Sequence, residues 1–587
     1  MRITRTTVSL AALAGSALVA AAALSAAADP HRVDGDRTAE VRANVIDGPA
    51  RNVILFIGDG MGDSEITIAR NYAKGAAGEL AMDALPMTGS YTTYAVQKGT
   101  DVPEYVTDSA ASGTAWATGV KTYNNAVGVD SYGAPHENII EAANKNGLFT
   151  GNVTTAEIQD ATPAVQGAHV ALRSCYGPTQ TTANCPADAK ENGGRGSISE
   201  QLLDTRADLT LGGGSTSFNQ TATAGEYAGQ TLLAQATARG YSVVTDQAGL
   251  SGVADLSRPV LGLFAPGNLP TVWTGPKAAQ GGVAATCVDN PALLASTPTL
   301  PQMTQKSIEL LDAASRATSK GFFLQVEGAS IDKQDHAANP CAQIGETLQF
   351  DESIRIAQDY AAAHPDTLII VTADHGHTSQ IISNGAAATS PGLTATLTTT
   401  EGVPMTINYG TAPANGSQEH TGTQVRIAAA GPYAANVLGL TDQTDLNTTI
   451  VDALRLQRNL PDDPAPVDPA AALAAAATDL AGLEAQIAAL ADAGTITLNQ
   501  KIQLSTRIGL LAKSTQKASD AYAAWVAAPG TSTAIKAKTQ LQLASNNAAN
   551  AASYLASSGI AEPTLSQYAS GVAAAQTAIA SAQATLG

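Results

Sequence analysis

Histidines and carboxylates cluster at three points of the chain, in contexts typical of metal ligands. The chain has 8 histidines in 587 residues, so a histidine beside acidic residues is informative. Taken singly, each would more often be structural, but together their imidazole and carboxylate groups favour zinc plus a harder ion such as magnesium. Asp332 and His336 are four residues apart and would share a helix face. The clustered residues are Asp332 and His336, then Asp374, His375 and His377 after an apolar run, and His420 in a polar loop.

Ser109 is the candidate nucleophile. It opens a run of small residues in the segment TDSAASGTAWATGVKT, at 107–122, which predicts a helix beginning near this serine. The first N–H groups of a helix lack internal partners and the helix dipole is positive there, so an anion can bind at that end. A serine hydroxyl needs a base, a lowered pKa or a metal to become a nucleophile. The alternative for Asp108 and Ser109 is a helix N-cap with no catalytic role.

Continuous apolar runs, alternating with helix-like segments, predict an α/β fold with a mostly parallel central sheet and helices on both faces. The runs are residues 52–58, 147–153, 209–212, 241–244, 260–264, 322–326, 367–372 and 425–430. Ligands bind at the carboxyl ends of such strands. Asp59, Glu327 and Asp374 each lie at or just after the end of a run. Three carboxylates at one edge would repel each other unless cations were present.

Six longer motifs occur in an order that resembles the bacterial alkaline phosphatases. They are GDGMG, TDSAASGTAWATGVKT, EIQDATPA, VEGASIDKQDHAANP, VTADHGH and EHTG. The resemblance extends from Arg51 to Leu456 and includes the positions of the cysteines. It implies a secreted homodimer that hydrolyses small phosphomonoesters through a phosphoserine, with two Zn²⁺ and one Mg²⁺ per subunit. Activity would favour alkaline pH, because metal ligands must be deprotonated.

The same resemblance implies a role for each matching residue. Ser109 would be the nucleophile, Arg173 would bind the phosphate, and Lys333 would contact it through water. His377 would orient a metal ligand. Asp160 and Lys333 stand where some relatives have histidines, which favours magnesium over a third zinc. The implied ligands are Asp332, His336 and His420 for one zinc; Asp59, Asp374, His375 and Ser109 for the other; and Asp59, Glu327 and Thr162 for magnesium, with Asp160 holding magnesium-bound water.

The N-terminus predicts export. Arg2 and Arg5 precede an apolar stretch at residues 8–23, and three alanines at 26–28 provide a cleavage site, so we interpret residues 1–28 as a signal peptide. Residues 29–50 would form a loose arm. We expect no later membrane span, and hence a secreted or periplasmic protein. The net charge of −19 argues against nucleic acid as a partner.

Four cysteines fit an oxidising compartment, and none has the spacing of a zinc site, so disulfides are expected. Three pairings can be drawn. The pair Cys175–Cys185 closes a short local loop, which leaves Cys287 and Cys341 for each other. We predict these two disulfides.

The composition changes after a catalytic domain that we place at residues 51–460. The segment PDDPAPVDPA, residues 461–470, has a linker's composition. Residues 471–587 are rich in alanine, with leucine and isoleucine at helical spacing and breaks at Gly494, Pro529 and Pro563. This pattern predicts an antiparallel bundle of about four helices. Its role is unknown, and a cell-surface partner is one option.

Several rival functions fit the sequence less well. A sulfatase of this superfamily would need a C/S-x-P-x-R motif, which Asp-Ser-Ala-Ala-Ser lacks. A related phosphodiesterase usually has no third metal site and lacks the arginine seen here as Arg173. A cofactor-independent phosphoglycerate mutase would be cytoplasmic, which the predicted signal peptide argues against. The alternatives that remain are such a phosphodiesterase, or a catalytically weak domain that presents the helical tail to a partner.

Overall fold

The structure is a computed structural model that describes residues 33, 35–457, 469–528, 530–561 and 564–586. It divides into two compact units, Met1–Asn459 and Leu460–Gly587, which we call the N-terminal unit and the C-terminal unit. The predicted signal peptide lies outside the described residues, and so does most of the predicted linker. The exact boundaries given above for the signal peptide, arm, catalytic domain, linker and bundle therefore stay predictions.

The strands of the N-terminal unit form one central sheet and several small sheets. In chain order they are β1 (Asn52–Gly58), β2 (Met87–Thr92), β3 (Ala95–Val96), β4 (Pro103–Glu104), β5 (Phe149–Glu157), β6 (Leu209–Gly213), β7 (Ser242–Val244), β8 (Val260–Leu263), β9 (Trp273–Thr274), β10 (Val288–Asp289), β11 (Phe322–Gly328), β12 (Thr367–Ala373), β13 (Gly376–His377), β14 (Ser379–Ile382), β15 (Leu393–Thr398), β16 (Pro404–Tyr409), β17 (His420–Thr421), β18 (Val425–Ala430) and β19 (Gly439–Asp442).

The helices of this unit lie between those strands. In chain order they are α1 (Thr38–Ala43), α2 (Asp63–Lys74), α3 (Ser109–Thr118), α4 (Ile139–Lys145), α5 (Ala161–Ala164), α6 (Pro178–Asn184), α7 (Ile198–Thr205), α8 (Ser215–Phe218), α9 (Leu232–Ala238), α10 (Gln247–Ser251), α11 (Leu300–Thr318), α12 (Ser330–His336), α13 (Pro340–Ala363) and α14 (Gln443–Ala453). Short 3₁₀ helices occupy Ala81–Ala84, Lys190–Asn192 and Ala434–Val437.

A ten-stranded central sheet organises the N-terminal unit, in the order β19-β2-β18-β12-β1-β11-β5-β6-β8-β7. The strands from β12 to β7 run parallel, and β18 joins β12 in the antiparallel sense. Phe56 of β1 packs edge-on against Phe350 of α13, with ring centroids 5.8 Å apart. Gln325 of β11 is in register with Leu55, the neighbour of Phe56, so its side chain lies on the opposite face of the sheet from Phe56. On that face, the indole N–H of Trp116 in α3 donates to Gln325. Helices therefore cover both faces, and the predicted fold class is confirmed.

The register of the central strands brings the predicted carboxylates to one edge. Gly58, the last residue of β1, lies opposite Gly328 of β11 and Ala373 of β12. Asp59 and Asp374 follow directly, and Glu327 is the penultimate residue of β11. Since all three strands are parallel, their carboxyl ends coincide, as the sequence predicted.

Both predicted disulfides are present. Cys175 is bonded to Cys185, ten residues further along the chain, and Cys287 is bonded to Cys341, 54 residues further along. The second bond ties the segment after β9 to the start of α13, and Cys341 is fully buried in a satellite core. That core also packs beneath the small sheet β14-β16-β15.

The C-terminal unit consists of four long helices, as the sequence predicted: α15 (Pro469–Asp492), α16 (Leu498–Ala527), α17 (Thr531–Ser557) and α18 (Thr564–Leu586). Its core is built from leucine, isoleucine and alanine, with Tyr522 and Tyr568 buried among them. Within the described residues, Ala472–Asp492 is the helix whose length and composition would allow it to cross a membrane. We expected no such segment, but its Leu473 and Leu480 are buried in this core.

Candidate active site

Ser109 is the first residue of α3, and its position there follows from a cap. The side chain of Asp108 accepts a hydrogen bond from the backbone of Ala111 at 3.0 Å, so Asp108 is the N-cap. Ser109 is buried, with its Oγ 3.3 Å from Nε2 of His375 and 3.5 Å from Oδ1 of Asp59. Asp108 therefore caps the helix, and the Ser109 hydroxyl also lies among the candidate metal ligands.

One group of ligand atoms surrounds that hydroxyl. Nε2 of His375 lies 3.5 Å from Oδ1 of Asp59 and 3.3 Å from Oδ2 of Asp374. The other oxygen of Asp374 accepts the backbone N–H groups of Gly60 and His375. Oδ2 of Asp374 is buried and has no hydrogen-bond partner within the described residues. An oxygen of that kind is a free ligand atom.

A second group of ligand atoms consists of Asp332, His336, His420 and His377. Nε2 of His336 lies 3.0 Å from Nε2 of His420, and these nitrogens are 3.3 and 3.4 Å from Oδ1 of Asp332. His377 follows β12 and donates from Nε2 to the same carboxylate oxygen at 2.6 Å. It therefore lies where it can orient Asp332, as the sequence resemblance implied.

The hydrogen bonds of these histidines favour metal binding. Nδ1 of His336 donates to the carbonyl of Gln418, and Nδ1 of His420 donates to the carbonyl of Thr107 at 3.1 Å. With Nδ1 as the donor, the Nε2 atoms of both rings are directed at the same point, where a cation could bind them. Tetrahedral zinc with bonds of about 2.0–2.1 Å separates its ligands by about 3.3 Å. Both groups match that spacing, so the residues fit zinc.

The residues predicted for magnesium, Glu327 and Thr162, supply buried oxygen atoms. Glu327 is buried and its carboxylate accepts a hydrogen bond from Thr154. The Thr162 hydroxyl is buried and has no hydrogen-bond partner in the part of the chain that is described. Asp160 caps the short helix α5, which contains Thr162. Oxygen atoms of this kind are the ligands that magnesium prefers.

Asp160 connects the two predicted phosphate-binding side chains. Its Oδ2 accepts Nζ of Lys333 at 2.8 Å, and its Oδ1 accepts Nη2 of Arg173 at 2.9 Å. Nη1 of Arg173 reaches Asp108 at 3.2 Å, beside Ser109. The structure thus brings all the predicted site residues to one region, with Arg173 held between two carboxylates.

The electrostatics of the site differ between its carboxylates. Although burial opposes it, hydrogen bonds from His377 and His420 hold the pKa of Asp332 well below its usual range. Burial raises the pKa of Asp59, and repulsion from Asp374 and Asp332 raises it further. Burial also raises the pKa of Glu327 to about 7. Burial lowers the pKa of His375 well below its usual range, so this ring is neutral and able to bind a metal.

Several contributors were not found from the sequence. Tyr176 donates to Asp160 at 2.9 Å, Thr154 donates to Glu327, and the carbonyl of Thr107 orients His420. Nothing in hydrophobic spacing marks these positions. The one available signal was the location of Tyr176, three residues after Arg173 and next to a disulfide cysteine.

Known proteins resemble this chain in sequence and in fold. Residues 50–416 match the family described as alkaline phosphatase. The chain is 57% identical over 441 residues to alkaline phosphatase of Escherichia coli (strain K12), covering 74% of this chain and 92% of that protein. It is 52% identical over 416 residues to streptomycin-6-phosphate phosphatase of Streptomyces griseus, covering 70% and 91%. The crystal structure of Thermus thermophilus alkaline phosphatase matches in fold, with a TM-score of 0.53, 24% identity and coverage of 72% and 96%.

Proposed function

Because the chain belongs to the alkaline phosphatase family, we propose that it hydrolyses phosphomonoesters through a phosphoserine on Ser109, releasing an alcohol and inorganic phosphate. That it is an alkaline phosphatase, a phosphomonoesterase of a metal-dependent family, follows from its relatives. The observation that supports Ser109 is its hydroxyl, buried at the start of α3 within 3.5 Å of a histidine and a carboxylate.

Two zinc ions and one magnesium ion are the cofactors that the ligand atoms support. Asp332, His336 and His420 would hold one zinc, and Asp59, Asp374 and His375 the other. Glu327, Thr162 and Asp59 would hold magnesium, with Asp160 beside it. When bound, these cations supply Lewis-acid charge that favours the serine alkoxide and the departing alkoxide.

The chain's own residues account for positioning. Ser109 Oγ loses its proton to solvent and attacks phosphorus in line with the ester oxygen. The P–O bond to the alcohol breaks as the Oγ–P bond forms, and the departing alkoxide takes a proton from water. Arg173 presents its remaining N–H groups as a fork to two non-bridging oxygens. The N-terminus of α3 adds a positive dipole at the same point. Water then cleaves the phosphoserine from the opposite side and restores the Ser109 hydroxyl.

Trapping the intermediate tests this proposal. Incubation with radiolabelled phosphate at acidic pH, followed by denaturation, should leave label on wild type and none on Ser109→Ala. Ser307→Ala is a matched control, since Ser307 is a buried serine of α11 that donates to the carbonyl of Met303. Label retained by Ser109→Ala would refute the assignment of the nucleophile. Hydrolysis of a chromogenic monoester and diester, compared with and without chelator, distinguishes a phosphomonoesterase from a phosphodiesterase or a weak domain.

Export, dimerisation and the role of the C-terminal unit are further parts of the proposal. The supporting observations are the N-terminal sequence pattern, the family resemblance and the separate core of α15–α18. We expect the mature protein outside the cytoplasm as a homodimer, with the C-terminal unit acting as an autonomous accessory module. Light scattering of the purified protein tests the dimer, and N-terminal sequencing of exported protein tests cleavage before Asp29.

A further inference from the structure

Asp160 Oδ1 accepts more donors than any role proposed so far requires. Arg173 Nη2, the Tyr176 hydroxyl and the backbone N–H of Ala161 each lie 2.9 Å from it. The other oxygen accepts Lys333 at 2.8 Å. Arg173 and Lys333 have proposed roles towards phosphate, but the Tyr176 hydroxyl does not.

Tyr176 is fixed from three directions. Its ring packs against the main hydrophobic core of the N-terminal unit. Its carbonyl accepts both the backbone N–H and the hydroxyl of Ser199, at 2.9 and 2.7 Å. Its neighbour Cys175 is bonded to Cys185. Because its backbone is held and its ring is packed, the Tyr176 hydroxyl can hold Asp160 without a large loss of conformational entropy.

Asp160 is one of the two carboxylates that position the Arg173 guanidinium. Nη2 binds Asp160 and Nη1 binds Asp108, which leaves one hydrogen on each nitrogen, and the Nε hydrogen, for an anion. A rotation of Asp160 would remove the support of Nη2 and leave Nη1 bound to Asp108. Preorganisation of this fork sets how much binding energy a phosphate retains.

We propose that Tyr176 is a positioning residue for phosphate recognition, since its hydroxyl fixes the Asp160 oxygen that orients Arg173. This inference rests on the proposed role of Arg173 as the phosphate-binding residue. The ligand concerned is the phosphate group itself, whether it belongs to the substrate or to the inorganic product. Tyr176 does not contact the reacting atoms and acts through Asp160.

The test is the competitive inhibition constant for inorganic phosphate in Tyr176→Phe, which removes the hydroxyl and keeps the ring. We expect this constant to rise about threefold to thirtyfold, because Ala161 and Lys333 still hold Asp160 after one hydrogen bond to a charged group is lost. The KM for a chromogenic monoester should rise in parallel. Tyr241→Phe is the matched control, since this buried tyrosine of the same unit donates to the carbonyl of Leu203 and should leave both constants unchanged.

A double-mutant cycle separates positioning from a general structural effect. In an Arg173→Ala background, Tyr176→Phe should change the phosphate inhibition constant less than about twofold, because the residue through which it acts is gone. Metal content and thermal midpoint are measured for every variant. An unchanged constant in the single variant, or an equal change in both backgrounds, would overturn the inference. A wild type that phosphate does not inhibit would instead contradict the proposed function.

Discussion

Replacing Glu327 by glutamine should stabilise the metal-free protein while it weakens the metal-loaded enzyme. In the structure this side chain is 1% exposed, and burial raises its pKa from an ordinary value of 4.5 to about 7. Repulsion by Asp160 and Asp374 adds to that shift, while Lys333 and the hydrogen bond from Thr154 oppose it. The carboxylate therefore costs folding free energy unless a cation neutralises it.

The sign and size of this cost follow from proton linkage. A carboxyl with a higher pKa in the folded state binds its proton more tightly when folded, so folding is disfavoured once the pH exceeds the unfolded value. The contribution is fully favourable below pH 4.5 and is lost as the pH rises through about 7. A pKa difference of that size corresponds to about 3 kcal/mol above pH 8 and to about 1 kcal/mol or less at pH 5.

Denaturant unfolding of chelated protein at pH 5 and pH 8.5 measures the difference between Glu327→Gln and wild type. Glu346→Gln is the matched control, because burial also raises the pKa of Glu346 to about 7, while its contact is the backbone N–H of Val272. The control should change stability equally with and without metals. The effect of Glu327→Gln on the free energy of unfolding should change sign on addition of zinc and magnesium. If the metal-free variant is no more stable than wild type at pH 8.5, the protein itself already compensates the charge of Glu327, and the reasoning fails.

Three further predictions concern stability and domain organisation. Removing the Cys287–Cys341 disulfide should cost about 4 kcal/mol and removing Cys175–Cys185 about 3, because they close loops of 54 and 10 residues; an equal or reversed order in unfolding experiments would contradict this. Asp83→Asn should cost about 1–2 kcal/mol near neutral pH, and the difference should disappear as the pH falls through about 2, since, although burial opposes it, Arg70 and Arg426 hold the pKa of Asp83 there. Deleting the C-terminal unit and the linker should leave full turnover, and loss of turnover would place that unit within the enzyme's core.

Much of the fold could be predicted because its central strands are buried on both faces. The run at 52–58 corresponds to β1, in which every residue is buried. β2 was missed because its sequence, MTGSYT, is polar and only partly buried. The antiparallel direction of β18 could not be predicted either, since an apolar run carries no information about strand direction. In the C-terminal unit, the breaks at glycine and proline separated the helices correctly.

The candidate site was predictable only in part. Parallel strands explain why Asp59, Glu327 and Asp374 meet at one edge. Nothing in spacing joins His336 to His420, which are 84 residues apart and are brought within 3.0 Å by the fold; that pairing came from the family resemblance. Tyr176 could not be identified because its contact with Asp160 depends on a loop whose path is set by tertiary packing.

The distribution of charge divides the site into two parts with different requirements. Around the proposed phosphate position, Arg173 and Lys333 compensate Asp160: although burial opposes it, their charges hold its pKa far below the usual range. Among the proposed metal ligands, Asp59 and Glu327 have raised pKa values. The chain's own cations therefore stabilise the charge of Asp160, whereas the charges of Asp59 and Glu327 depend on ions from solution. Chelation should consequently weaken folding as well as activity, because metal binding and the folded state are coupled.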